Sequence, residues 1–150
     1  MDRRDMEKHL LQAAERGDAQ AQFNLGVMRE NGLDNSRYAV EGSRPEAVRW
    51  FLAAAEQGLP RAQLKLAEIY AAEADISDSL VKACSWFLLA AKGLRGAQRQ
   101  SAQSAYQRAA SRLTPAQIAD AVNFAESWQP KPPSIAGALV RQKVSADGRM

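Results

Sequence analysis

One block of residues recurs along the chain and restricts its fold more than any other feature. Ala13-Ala14-Glu15-Arg16-Gly17 returns as Ala54-Ala55-Glu56-Gln57-Gly58 and, one residue shorter, as Ala90-Ala91-Lys92-Gly93. Four residues after each glycine stands Ala-Gln: Ala21-Gln22, Ala62-Gln63 and Ala97-Gln98. Trp50-Phe51-Leu52 and Trp86-Phe87-Leu88 lie upstream of the second and third glycines. Successive glycines are 41 and 35 residues apart. A period near 40 built from helical segments means paired helices stacked as a solenoid.

Composition agrees. The apolar fraction is 46%, but 29 of those residues are alanine, and Val, Ile and Thr together number only 12. Sheets need β-branched side chains, whereas alanine is the strongest intrinsic helix former. The expectation is an all-α superhelix of about three helix pairs plus an N-terminal helix. First helices are expected near 19–31, 60–73 and 96–112, and second helices near 45–57, 79–92 and 115–127. The extra helix falls near 5–16.

The boundaries have chemical reasons. Gly17, Gly58 and Gly93 stand where a helix C-terminus takes a left-handed residue. Pro60 suits a first helical turn. Ser43-Arg44-Pro45-Glu46 and Thr114-Pro115-Ala116-Gln117 have capping-box spacing. Ala21, Ala62 and Ala97 open first helices and, with Gly26 and Ala67, let neighbouring helices approach closely. Trp50, Phe51, Trp86 and Phe87 read as core, as does the single cysteine, Cys84.

The run A-A-E-x-G-x-x-x-A-Q-x-x-L-G/A, a loop, and then A-x-x-W-F-x-x-A-A resembles the Sel-1-like repeat family, relatives of the tetratricopeptide repeats. Ala47, Trp50, Ala54 and Ala55 match its second helix, as do Ala83, Trp86, Ala90 and Ala91. Ala21, Leu25 and Gly26 match its first helix, and Tyr70 takes the family's tyrosine position. The resemblance spans about residues 9–128. Three departures stand out: Arg29 replaces the tyrosine in the first copy, the loop from Asn31 to Arg44 is long and carries Tyr38, and Ser101 replaces the leucine of Leu25 and Leu66. The resemblance implies a non-catalytic module or scaffold of a bacterial complex, with protein or extended-peptide partners held on the inner face of the superhelix.

Enzymatic readings lack material. His9 is the only histidine and lies on the terminal helix, so a nucleophilic triad has no second candidate base. Phosphate-binding glycine loops are absent from the sequence. Asp75 and Asp78 do not have calcium-loop spacing and read as a turn capping the helix near 79. No metal or cofactor is expected.

Charge is uneven. Residues 1–91 carry 11 basic and 14 acidic groups, and residues 92–150 carry 9 and 3. The alternative reading is therefore a nucleic-acid-associated accessory protein using the basic C-terminal third. Helical geometry weakens it, because Arg95 and Arg99 fall on a face opposite Arg108 and Arg112, and no aromatic residue interleaves with them.

The same geometry defines a candidate binding face. Gln20, Asn24, Val27 and Asn31 share one side of the first helix. Their equivalents are Arg61, Lys65, Glu68 and Ala72, then Gly96, Gln100, Gln103 and Gln107. First helices line the concave side of such stacks, and Asn and Gln amides both donate and accept. This ridge is the expected partner surface, with Tyr38 as a loop candidate. Residues 1–128 are expected to form the solenoid and 129–150 a proline-containing linker and flexible tail. No apolar run reaches membrane-spanning length. The charged start, with no apolar stretch after it, points to the cytoplasm; a trimmed mature form would be periplasmic. A loosely packed third repeat also allows homo-oligomerisation by end-stacking.

Overall fold

A computed structural model describes residues 2–31, 43–73 and 77–133. The described residues form seven helices and no strand: α1 (Arg3–Glu15), α2 (Ala19–Asn31), α3 (Ser43–Glu56), α4 (Pro60–Ala72), α5 (Ser77–Gly93), α6 (Gly96–Ala110) and α7 (Pro115–Ser127). Every helix expected from the repeat is present, and the fold class is that of helical-hairpin repeats. No helix among the described residues is long and apolar enough to cross a membrane. Tyr38, Asp75 and residues 134–150 lie outside the described residues, as do the side chains of Asn31, Ser43 and Arg44. The described residues divide into two compact units, those up to residue 57 together with 131–133, and those from 58 to 130.

In the first unit α2 packs against both α1 and α3. Asp2 caps α1, its Oδ1 accepting from the Arg4 and Asp5 amides at 2.6 and 3.1 Å. Gly17 adopts φ 101°, and the amides of Gly17 and Asp18 donate back to the carbonyls of Ala14 and Ala13. That return needs a left-handed residue, hence glycine. Asp18 then caps α2 through the Ala21 amide at 2.9 Å.

The recurring glutamine has a structural task. Gln22 is fully buried; its Nε2 donates to the Ala14 carbonyl at 3.0 Å, and its Oε1 accepts from Gln57 Nε2 at 2.8 Å. The Ala14 carbonyl at the end of α1, which already accepts from the Gly17 amide, thereby gains a second donor inside the core. Around it Ala14, Ala21, Leu25 and Trp50 form a cluster with Leu10 and Leu11 packed against it. Helices α2 and α3 meet at Gly26, where an added Cβ would lie 2.7 Å from the Phe51 ring. Phe23 tilts onto the same ring, with centroids 5.8 Å apart. The chain returns to this unit at Lys131, whose amide donates to the Glu56 carbonyl at 2.7 Å. Pro133 sits against Gly17, where a Cβ would approach it to 2.7 Å.

In the second unit α4, α6 and α7 each pack on α5. Gly58 is left-handed, with φ 99°, and Pro60 occupies the first turn of α4. Gly93 departs from expectation. It ends α5 without a positive φ, and the left-handed glycine of this turn is Gly96, φ 59°. The reason for glycine at 93 is space, because its missing Cβ leaves room for the Pro60 ring. Phe87, Leu66 and Cys84 are buried. Trp86 receives the edges of Phe124 and Trp128, at 5.8 and 6.3 Å between centroids. Thr114 and Gln117 complete a reciprocal capping box at the start of α7.

The third pair of helices packs differently from the first two. Helices α6 and α7 lie chiefly on α5 rather than on each other. Ala97, Gln98 and Ser101 are consequently exposed, whereas Ala62, Gln63 and Leu66 are buried. Ala97 is thus not the helix contact that its counterparts are.

Gly26→Ala should lower stability by about 1–3 kcal/mol, because α2 and α3 must separate or Phe51 must leave its rotamer; urea unfolding followed by circular dichroism measures this. Burial pushes the Cys84 thiol up from 9.0 to about 11. The unfolded chain therefore releases this proton at lower pH than the folded one, and stability should decline as pH rises from 9.0 towards about 11. A Cys84→Ser variant should lose that part of the decline in urea titrations across this range.

Candidate partner-binding surfaces

The expected ridge residues lie on two separate units. In the first, Gln20 and Asn24 are exposed and joined by a 3.0 Å hydrogen bond from Gln20 Nε2 to Asn24 Oδ1. Val27 is half-buried beside them. Their placement follows from α2 burying Ala21, Leu25 and Gly26 on its other side. In the second unit Arg61 and Glu68 are exposed on α4, and Lys65 is half-buried. Gln100, Gln103 and Gln107 are exposed on α6.

The second unit also holds a groove that sequence reasoning did not identify. It has a volume of about 450 Å³ and lies between α4 and α6, with α5 behind it. Leu80, Phe87 and Ala109 form its buried floor, and Leu64, Ala71 and Ala105 line the walls. Arg108, Arg112 and Glu68 supply its charge. Of the expected ridge residues, Glu68 and Ala72 line it. On α6 the groove face is Ser101, Ala105 and Arg108, about 130° round the helix from Gln100, Gln103 and Gln107, and Arg112 joins it from the turn after the helix. Two signals pointed here: serine at a leucine position, and two arginines four residues apart.

Arg29 answers a different question, namely what stands in for the missing tyrosine. Its guanidinium bonds the carboxylates of Glu7 on α1 and Glu46 on α3, the latter at 3.1 Å. Burial alone would lower the Arg29 pKa, but the hydrogen bonds to Glu7 and Glu46 outweigh it and raise the pKa above the ordinary arginine value. One side chain therefore joins three helices. In the second unit Tyr70 keeps the aromatic ring, with Lys82 Nζ 5.7 Å from its centroid.

Groups that could do chemistry are dispersed or engaged. His9 is exposed, its Nδ1 2.6 Å from the Asp5 carbonyl oxygen of its own helix. Cys84 is buried and protonated at neutral pH. Among the described residues no three of His, Cys, Asp and Glu cluster as metal ligands would.

Glycine-turned, alanine-packed helical hairpins of this kind define a helical-repeat protein. The sequence profile of the Sel1 repeat matches residues 19–59 and 60–93, together half of the chain. The chain belongs to the Sel1 repeat family. No curated protein and no solved structure matches it significantly. Sel1 repeats generally mediate protein–protein interaction, and proteins built from them are typically non-catalytic scaffolds.

Arg29→Ala should cost about 1 kcal/mol at low salt, a modest figure because Glu46 is half exposed and water screens the pair. The difference from the parent chain should shrink in 1 M NaCl. Thermal unfolding of both chains at two salt concentrations measures it.

Proposed function

We propose that this protein is a non-catalytic scaffold or regulator of a multiprotein complex, of the bacterial kind that the family resemblance implies. It binds a partner through the polar face that the first helices of its repeats turn outward. The observation that carries this reading is the match of two consecutive Sel1 repeats. It is supported by the exposed amides and charges at Gln20, Asn24, Arg61, Glu68, Gln100, Gln103 and Gln107. Such side chains can hold a peptide backbone without demanding one sequence. Arg108 and Arg112 adjoin an apolar groove rather than a run of aromatic platforms, which favours a protein partner over a nucleic acid. Lys131, part of the basic C-terminal third, lies 3.6 Å from Glu56.

The test replaces Asn24, Lys65, Glu68 and Gln103 together by alanine. Partner capture from native lysate, quantified by mass spectrometry, should fall at least about tenfold, as expected when several interfacial hydrogen bonds are lost. Helicity should be unchanged. Unaltered capture by a folded variant contradicts the reading, as does salt-dependent retention on DNA or RNA without any protein partner.

A further inference from the structure

We propose that the groove between α4 and α6 takes a short partner segment that joins an acidic side chain to neighbouring apolar ones. This rests on the interaction reading above and names the chemistry of its partner. The groove volume, about 450 Å³, lies within the range of roughly 300–1,000 Å³ common to binding clefts. Small residues keep its walls apart: Ala71 and Ala72 on α4, Ser101 and Ala105 on α6. Between them the side chains of Leu80 and Phe87 reach the floor while remaining almost fully buried. A leucine-sized side chain placed there would leave water for an apolar surface.

Charge selects the rest of the occupant. Two guanidinium groups, Arg108 and Arg112, border the groove against one carboxylate, Glu68. Arg108 stands on the last turn of α6 and Arg112 in the turn that follows it, and both side chains line the groove. Planar guanidinium groups bind carboxylates in a bidentate manner, so the surplus positive charge calls for an acidic group. The chain's own residues 134–150 suit the groove poorly, with three basic side chains and one acidic. A nucleic acid would meet no stacking surface, since the groove's one aromatic ring, Phe87, is only 2% exposed. An acidic and apolar peptide satisfies both the floor and the rim.

Three fluorescein-labelled ten-residue peptides test this on the full-length chain by anisotropy. Each carries two leucines, flanked by two glutamates, two glutamines or two lysines. The glutamate peptide should bind about tenfold more tightly than the glutamine peptide, as a charge-assisted bond to arginine predicts, and the lysine peptide should bind most weakly. Arg108→Glu should weaken the glutamate peptide at least about tenfold. Ala72→Trp, which fills the groove from an exposed position, should abolish its binding. Arg99→Glu, on the far face of α6, should leave it unchanged. Circular dichroism checks that each variant is folded. Equal affinity for the three peptides, no binding of any, or indifference to both Arg108→Glu and Ala72→Trp overturns the proposal. If the peptides fail while the fourfold alanine variant still loses its partner, the groove assignment falls and the interaction reading stands. If that variant also keeps its partner, the interaction reading falls too.

Discussion

At Gly26 there is no room for a single methyl group, because the Phe51 ring already occupies its place. The same restriction recurs at Gly93, where the Pro60 ring fills the space of the missing side chain. Helices that approach this closely must carry glycine or alanine at the contact and a large flat group opposite. Ala14, Ala54, Ala62, Ala67, Ala83 and Ala90 are all fully buried, and Trp50, Phe51, Trp86 and Phe87 fill the gaps between them. The large alanine count is thus a packing requirement as well as a propensity. Because small side chains bury little area each, the structure gains its hold from many close contacts rather than from a few large ones.

Close packing leaves polar groups at the helix ends to be satisfied indoors. Gln22 adds a second donor to the Ala14 carbonyl, and Gln57, just past the end of α3, extends the chain of bonds. A repeat that keeps Ala-Gln therefore keeps a spacer and a cap together. Where the second role has no partner helix, as at Ala97 and Gln98, both residues face outward. The faces not used for packing are left for recognition, and they differ between repeats. Arg29 ties α1, α2 and α3 by ion pairs, whereas Tyr70 keeps an aromatic ring under Lys82.

Much of this was legible in the sequence because the repeat is periodic. The aromatic core, the left-handed Gly17 and Gly58, the proline at the start of α4 and the Thr114 capping box all follow from local patterns with a physical cause. Gly93 was misread for a clear reason. Glycine can be required by backbone angle or by a neighbour's volume, and only the structure distinguishes the two. The α4–α6 groove left only Ser101, Arg108 and Arg112 as signs in the sequence, for a related reason. It depends on how α6 is turned on α5, and that rotation is set by which faces find partners. Repeat position alone does not reveal it, because Ser101 is exposed on α6 where Leu66 is buried on α4.

The account places partner contact on the outward faces of α4 and α6, away from α7. Photo-crosslinking in the native host tests this directly, with a benzophenone amino acid introduced singly at Ala72, Gln103 or Ala119, all exposed positions. The account predicts covalent adducts with one and the same protein from positions 72 and 103, and none from position 119 on α7. Adducts formed only from position 119, or only with nucleic acid, would contradict it.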